Sequence, residues 1–353
     1  MKIVIPLLSF GRAGGSRVLS QLANHWVNAG HDVLFLTHKS SNKPYYPTTA
    51  EVKYFDNNGN LSGYNDLNYQ WPKLGIFSIR KIVKRILDKI ECDIILANHS
   101  LTAFPVAKTI NKAKKFYYVQ AYEPDFFYPL NIKNRILRNI SKKSYKLGLN
   151  IIVNSTMYFN YHEIIADKYV PPGLDLKIFS PREKLKKDRI ILGTIGRKEK
   201  HKGTGYIIDA FKQLSRLTDQ KFELNIAFGE QELEKIEGVK VSRPDGDESL
   251  SDFYNNIDVY ICAQTIQLDA IHYPVIESMA CKTPVITTGY YPANDDNSYL
   301  IPIEDVDAIS NAVIKFVDTS KEKNDTKVNR AYADVQQFDW EKVANKMLSY
   351  FLE

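Results

Sequence analysis

One pattern constrains this chain more than any other, and it occurs twice: an apolar strand, a glycine-bearing loop, an amphipathic helix and a second strand. Lys2–Leu8 is a nearly unbroken apolar run, as expected of a strand buried on both faces of a parallel sheet. Gly11, Gly14 and Gly15 follow, and Arg17–Asn28 then sets Val18, Leu19, Leu22, Ala23 and Trp26 on one helical face. Gly30 suits the end of that helix, and His31–Thr37 supplies the next strand. Further strands are expected at Cys92–Ala97, Phe116–Gln120 and Asn150–Asn154. In the second half Arg189–Ile195 reads as a strand, Gly203–Arg216 as a helix, and Phe222–Phe228 and Val259–Ala263 as strands. Pro274–Cys281 follows as a helix opened by its proline, then Pro284–Thr288 as a strand. This alternation predicts an α/β chain of two Rossmann-like, doubly wound domains facing a central cleft. The expected boundaries are 1–175 and 176–339, and the proline-rich and charged segment Val170–Arg189 reads as the linker.

Composition narrows the class. Apolar residues at 44% and charged residues at 25% suit a soluble globular protein. No apolar run approaches the ~18 residues of a membrane span. The N-terminus has Lys2 as its only positive flank and no cleavage-type motif, so a buried strand is expected there and not a signal peptide. Cys92, Cys262 and Cys281 are odd in number and widely spaced, which fits neither a disulfide nor a zinc framework and suggests the cytoplasm. The net charge of +6 hides a split: residues 1–180 hold 24 Lys/Arg against 12 Asp/Glu, and residues 181–353 hold 23 against 29. Such asymmetry hints at an anionic surface as a partner of the first half.

A dinucleotide cofactor is disfavoured. Gly11, Gly14 and Gly15 do not spell G-x-G-x-x-G, and the second strand ends in Thr37-His38 with no acid for a ribose diol. The glycine loop before a helix still suits some anion. Three segments of the second half carry candidate chemistry. Gly196-Arg197-Lys198-Glu199-Lys200-His201-Lys202-Gly203 is a basic loop between strand and helix, either simply solvated or suited to a diphosphate. Asp269 and Glu277 stand eight positions apart, the second expected in the first turn of a helix, where it could merely complement the helix dipole. Pro172-Gly173-Leu174-Asp175 lies at the linker.

The joint order Gly14-Gly15, Pro172-Gly173-x-Asp175, Gly196-Arg197-x4-Lys202-Gly203, Asp269-x7-Glu277-x-Met279-Ala280 and the ending Phe338-Asp339-Trp340-Glu341 resembles the family-4 retaining glycosyltransferases of the GT-B fold. The resemblance spans nearly the whole chain. It implies that Arg197 and Lys202 hold the diphosphate of a nucleotide-sugar donor, with Gly14 and Gly15 approaching the same phosphates from the first domain. It implies that Glu277 binds the ribose hydroxyls and that Asp269 lies close to the donor sugar, making Asp269, Arg197 and Lys202 the catalytic candidates. Ile271, His272 and Tyr273 fill the stretch beside sugar and phosphates, and a C-terminal helix from about residue 340 packs back on the first domain. Asp269 departs from the glutamate usual there, keeping the charge but losing about an ångström or more of reach.

A second departure concerns the strand ending at Val119, where many members place a histidine and this chain has Gln120-Ala121-Tyr122-Glu123-Pro124. The stretch from Val119 through Tyr128-Pro129 is similar to a subgroup that includes rhamnosyltransferases of bacterial surface-glycan clusters. Gln120, Glu123, Asn98 and His99 become the acceptor-side candidates. The resemblance implies a UDP-, GDP- or dTDP-sugar donor, no further cofactor, no bound metal, and a glycan or lipid-linked acceptor. Asp245-Gly246-Asp247 mimics a metal-binding Asp-x-Asp but is expected to form a loop. Lys73–Ile90 and Asn131–Leu147 carry most of the positive excess and read as basic amphipathic helices suited to the inner face of a membrane. Nucleic acid is disfavoured as a partner, since no recognition motif appears. The rival reading is a non-catalytic scaffold subunit of the same fold.

Overall fold

The computed structural model describes residues 1–64, 75–128, 131–183 and 188–353. The chain forms two compact units, Met1–Gly173 with Trp340–Glu353, and Leu174–Asp339.

In the first unit, eight strands make one sheet: β1 (Lys2–Pro6), β2 (Asp32–His38), β3 (Glu51–Phe55), β4 (Leu61–Ser62), β5 (Ile94–Ala97), β6 (Lys114–Val119), β7 (Asn150–Val153) and β8 (Lys168–Tyr169). Their order is β4-β3-β2-β1-β5-β6-β7-β8, parallel except for β3 against β4. The winding runs outward from β1 through β2 and β3, then restarts on the other side of β1 with β5. The reversal between β1 and β5 is the place where open α/β sheets leave a crevice at the strand carboxyl ends. Helices α1 (Gly14–Asn28), α2 (Ile76–Leu87), α3 (Ser100–Lys108) and α4 (Ile132–Ser144) connect these strands. On one face Val18, Leu19, Leu22 and Trp26 of α1 pack with Ile3, Ile5 and Phe35. On the other, Ile79, Ile82, Val83 and Ile86 of α2 pack with Val4, Leu34 and Ile95.

The second unit repeats the plan with β9 (Ile190–Ile195), α5 (Thr204–Leu217), β10 (Phe222–Ala227), β11 (Val239–Ser242), α6 (Gly246–Asn255), β12 (Val259–Cys262), α7 (Tyr273–Ala280), β13 (Val285–Thr287) and β14 (Tyr299–Leu300). Its all-parallel order, β11-β10-β9-β12-β13-β14, puts the reversal between β9 and β12. Helices α8 (Val306–Asp318) and α9 (Lys321–Val335) complete it, and α10 (Trp340–Leu352) belongs to the first unit. There α10 lies against α1, with Trp340, Val343, Met347 and Phe351 in the same core and the Trp26 indole donating to the Ala344 carbonyl at 3.1 Å.

Several expectations are corrected. Leu174 and Asp175 belong to the second unit and not the first: the Leu174 N–H donates to the Phe338 carbonyl at 2.6 Å. The supposed linker Val170–Arg189 is in large part packed, for Val170, Pro171, Pro172, Leu174 and Phe179 are buried. A Cβ on Gly173 would sit 2.3 Å from the Trp340 ring, so only glycine permits that approach. Residues 184–187 of the segment, Lys73 and Leu74 of the first basic stretch, and Pro129 of the motif after β6 lie outside the described residues. Asp245-Gly246-Asp247 opens α6 instead of forming a loop. The apolar face of α2, expected to meet a membrane, is spent on the unit's own core.

Candidate functional site

Both reversal points gather the residues singled out above, but they do so differently. In the second unit, β9 ends at Ile195, and Gly196–Gly203 returns the chain to α5 through a short 3-10 turn at Lys200–Lys202. Gly203 has φ +79°, and a Cβ there would stand 2.1 Å from the Ala263 carbonyl oxygen just beyond β12. Both the conformation and the space demand glycine. The Thr265 N–H donates to the His201 carbonyl at 2.9 Å, so the basic loop is tied to the end of β12 across the reversal point. The Arg197 N–H donates to the Thr204 hydroxyl at 3.0 Å, and its guanidinium donates to the Gly196 carbonyl at 3.0 Å. Arg197 is exposed and lies 5.6 Å from the Phe228 ring centroid; Lys202 is half-buried. The first N–H groups of α5, at Thr204 and Gly205, open toward this loop, and a Cβ on Gly205 would meet only open space. A helix N-terminus flanked by two such cations is a site for an anion.

A cavity of about 760 Å³ adjoins this loop, lined among others by Arg197, Thr204, Gly205, Phe228 and Arg243. A slightly larger one, about 820 Å³, lies at the amino end of β5 among Asp88–Ile94 and Asn111–Lys114. That is the end of the sheet away from the carboxyl-end crevice, and no candidate residue reaches it.

The segment before α7 carries the next candidates. His272 is the N-cap of that helix, with Tyr273 first and Pro274 second. Its ring lies 4.8 Å from the Tyr290 ring, and its Nδ1 faces the Cys262 Sγ at 3.7 Å. Burial, with the Lys202 and Arg197 cations nearby, pushes its pKa down to about 3, so the imidazole is neutral at physiological pH. Burial also raises the Cys262 thiol to about 11, keeping it protonated. Ile271 bridges to Tyr291, and the Asp269 N–H donates to the Gly289 carbonyl at 2.9 Å. Asp269 is exposed and left-handed at φ +64°, a region where Asp is less costly than most residues. The loop thus holds that carboxylate out toward solvent.

Glu277 lies in the second turn of α7, not the first, because the helix begins at Tyr273. A role as a first-turn complement to the helix dipole is therefore removed. The residue is 3% exposed, and the Tyr254 hydroxyl donates to its Oε2 at 2.8 Å. Tyr254, on α6, was missed by sequence reasoning, since a tyrosine on the apolar face of a helix reads as ordinary core. Burial and the Glu277 carboxylate drive its pKa far up, so it remains a donor.

In the first unit Gly14 and Gly15 open α1 themselves, three residues earlier than expected, and the Gln120 amide donates to the Gly15 carbonyl at 3.4 Å. Asn98 donates to the Pro6 carbonyl at 2.9 Å, joining β5 to β1 at their carboxyl ends. His99 caps α3: its Nδ1 accepts the Leu101 N–H at 3.0 Å, which leaves the proton on Nε2, 3.2 Å from Glu123 Oε2. Burial lowers the His99 pKa, Glu123 opposes that, and Arg80 adds to it. Glu123 is 5% exposed, and its Oε1 accepts the Ser100 N–H at 2.7 Å and the Tyr117 hydroxyl at 3.0 Å. Through these bonds Glu123 ties three elements together from inside, and His99 and Gln120 are the more accessible members.

Among the described residues no group of three or more His, Cys, Asp or Glu could hold a metal ion. None of the described helices is long and apolar enough to cross a membrane.

Residues 12–177 match the family described as Glycosyltransferase Family 4, and residues 189–319 match Glycosyl transferases group 1. No protein of curated function matches the chain. Among solved structures, the chain is similar to Anabaena HepE in complex with UDP (TM-score 0.73, 16% identity, 100% of both chains). It is similar to the sucrose-phosphate synthase of Thermosynechococcus elongatus (0.72, 18%, 100% of this chain and 98% of that). It is also similar to a glycosyltransferase of Rickettsia africae (0.69, 14%, 99% and 97%). The chain thus joins a family-4 glycosyltransferase domain to a group 1 glycosyltransferase domain, and it is a glycosyltransferase of the GT-B type.

Proposed function

We propose that the chain is a retaining glycosyltransferase that moves a sugar from a nucleoside-diphosphate sugar to a glycan or lipid-linked acceptor in bacterial surface-glycan synthesis. What carries the reading is a nucleotide-sized cavity lined by Arg197 and by Thr204 and Gly205 at the α5 N-terminus, with Lys202 two residues before that helix. HepE, of the same fold, is a structure with UDP and with UDP-glucose. Here the cations and helix N–H groups would hold the donor diphosphate and stabilise the charge it gains as the glycosidic bond breaks. With that charge met by protein, the transfer calls for no metal ion. Neutral His272 adds no charge and is free to accept or donate a hydrogen bond beside the sugar. Asp269 would address the sugar hydroxyls, and Glu277, oriented by Tyr254, the ribose. The acceptor hydroxyl attacks the anomeric carbon from the face the nucleotide leaves and gives its proton to the departing phosphate oxygen. The anomeric configuration is thereby kept without a protein nucleophile. Gln120, His99 and Asn98 line the acceptor side.

A thermal-shift panel with UDP, GDP, dTDP, ADP and NAD⁺ tests the donor site. A ligand at 100 times its Kd adds about 2.7 kcal/mol of stability. One nucleoside diphosphate standing out names the base. Binding without turnover would favour a scaffold subunit, whose specific support is the short, solvent-held Asp269; a response to NAD⁺ alone would sink the proposal.

A further inference from the structure

Helix α4 is built the wrong way round for a helix on a globular core. Its buried positions are Ser141 and Ser144. Ser141 donates to the Ser100 hydroxyl at 3.3 Å, and Ser144 to the Ser141 carbonyl at 2.6 Å, so the helix is seated by small polar groups. Two of its isoleucines stand outward instead: Ile132 is 81% and Ile136 55% exposed. These two, four residues apart, share one stripe. Phe126 and Tyr128, just upstream in the chain, are also more than half exposed, with the Arg138 guanidinium of α4 over the Tyr128 ring at 5.1 Å. Lys133 and Arg135, both exposed, flank the isoleucines, and residues 131–147 contain six Lys/Arg and no acid. The isoleucine face of the other basic helix, α2, is consumed by its own core, whereas α4 presents its cations beside exposed isoleucines.

We infer that α4 and the Phe126–Tyr128 segment dock the protein on an anionic lipid bilayer. The inference deepens the reading above, which gives the chain a lipid-linked acceptor, by naming the surface that meets the lipid. Charge selects the occupant. A second copy of the chain seated isologously on this stripe would press Lys133 and Arg135 against their own equivalents. An anionic headgroup layer neutralises them while the isoleucines and aromatic rings enter the acyl boundary.

The test is co-sedimentation of the full chain with vesicles of equimolar phosphatidylcholine and phosphatidylglycerol, beside vesicles of phosphatidylcholine alone. Binding to the mixed vesicles only is expected, weakened by added salt. Lys133→Gln with Arg135→Gln should weaken it roughly 25-fold, near fivefold per cation. Ile132→Ser with Ile136→Ser should weaken it at least tenfold. Both pairs are exposed and should leave the melting temperature unchanged. No binding by the native chain, or unaltered binding by both double variants, overturns the docking. A chain that misses vesicles yet shifts with a nucleoside diphosphate loses the docking and keeps the donor site, whereas vesicle binding without any nucleotide shift does the reverse.

Discussion

The two reversal points share a topology and treat their charges in opposite ways. Between β9 and β12, Arg197 stands exposed, Lys202 half-buried, and the α5 N-terminus opens into space. Between β1 and β5, extended to β6, the ionisable groups are turned on each other: Glu123 satisfies Ser100 and Tyr117 and faces His99. Positive charge left uncommitted beside a cavity is poised for a ligand, while a carboxylate with internal donors is committed to holding loops in place. A strand-end location thus marks both regions as candidates, and only the hydrogen-bond inventory separates a binding site from the frame beneath one.

Removing the uncommitted charges should have the largest effect. Arg197→Ala and Lys202→Ala are each expected to lower kcat/KM by about 2–4 kcal/mol, the scale of losing one preorganised donor to a transition-state charge. Melting temperature should barely move, since neither side chain is buried. If activity and melting temperature fall together, the contrast between the two regions is broken.

Glu123→Ala should show the converse. It strips the acceptor from the Ser100 N–H and the Tyr117 hydroxyl, and stranded buried donors cost about 1–3 kcal/mol each. A loss of about 3 kcal/mol in denaturant unfolding is expected, with donor affinity unchanged in the thermal-shift panel. A variant as stable as the native chain would return Glu123 to the list of ligand contacts.

The fold was legible because its signals are redundant. Lys2–Leu8 reads as a doubly buried strand, and the Val18–Trp26 spacing as the apolar face of a helix. The order of these units then implies parallel sheets. Arg197, Lys202 and Gly203 were legible for a similar reason: a glycine wedged at 2.1 Å against Ala263 leaves a sharp mark in the sequence. What stayed hidden depended on orientation. Ile82 and Ile86 of α2 and Ile132 and Ile136 of α4 have the same four-residue spacing, yet the first pair faces inward and the second outward. Periodicity reports that a helix has two faces, not which of them the core takes. Glu123 and Glu277 were likewise visible as carboxylates, while their burial is decided by Tyr117 and Tyr254, partners distant or unmarked in the sequence.

Tyr254→Phe sharpens the comparison inside the second unit, where Glu277 is as deeply buried as Glu123. Losing a hydrogen bond to a charged carboxylate costs about 1.5 kcal/mol. If Tyr254 orients Glu277 for the ribose, the loss should appear as a raised KM for the donor with kcat little changed. A fall in stability alone would make the pair purely structural.

The pH-dependent effect is the most discriminating. His272 and His99 both have lowered pKa values, but Glu123 opposes the shift at His99, whereas Lys202 and Arg197 reinforce it at His272. With a folded pKa near 3 against ~6.5 in the unfolded chain, the unfolded state binds the extra proton at His272 between those limits. Stability must therefore fall as pH drops from 6.5 toward 3, by at most about 1.4 kcal/mol per pH unit from this group. His272→Gln should flatten that slope. A bound diphosphate would neutralise the two cations, so the His272 imidazole resonance, silent above pH 5 in the free protein, should titrate at higher pH with nucleotide present. His99 should keep its midpoint, because its partners lie in the other unit. If the nucleotide moved His99 and left His272 fixed, the anion would be bound in the first unit, and the roles of the two regions would exchange.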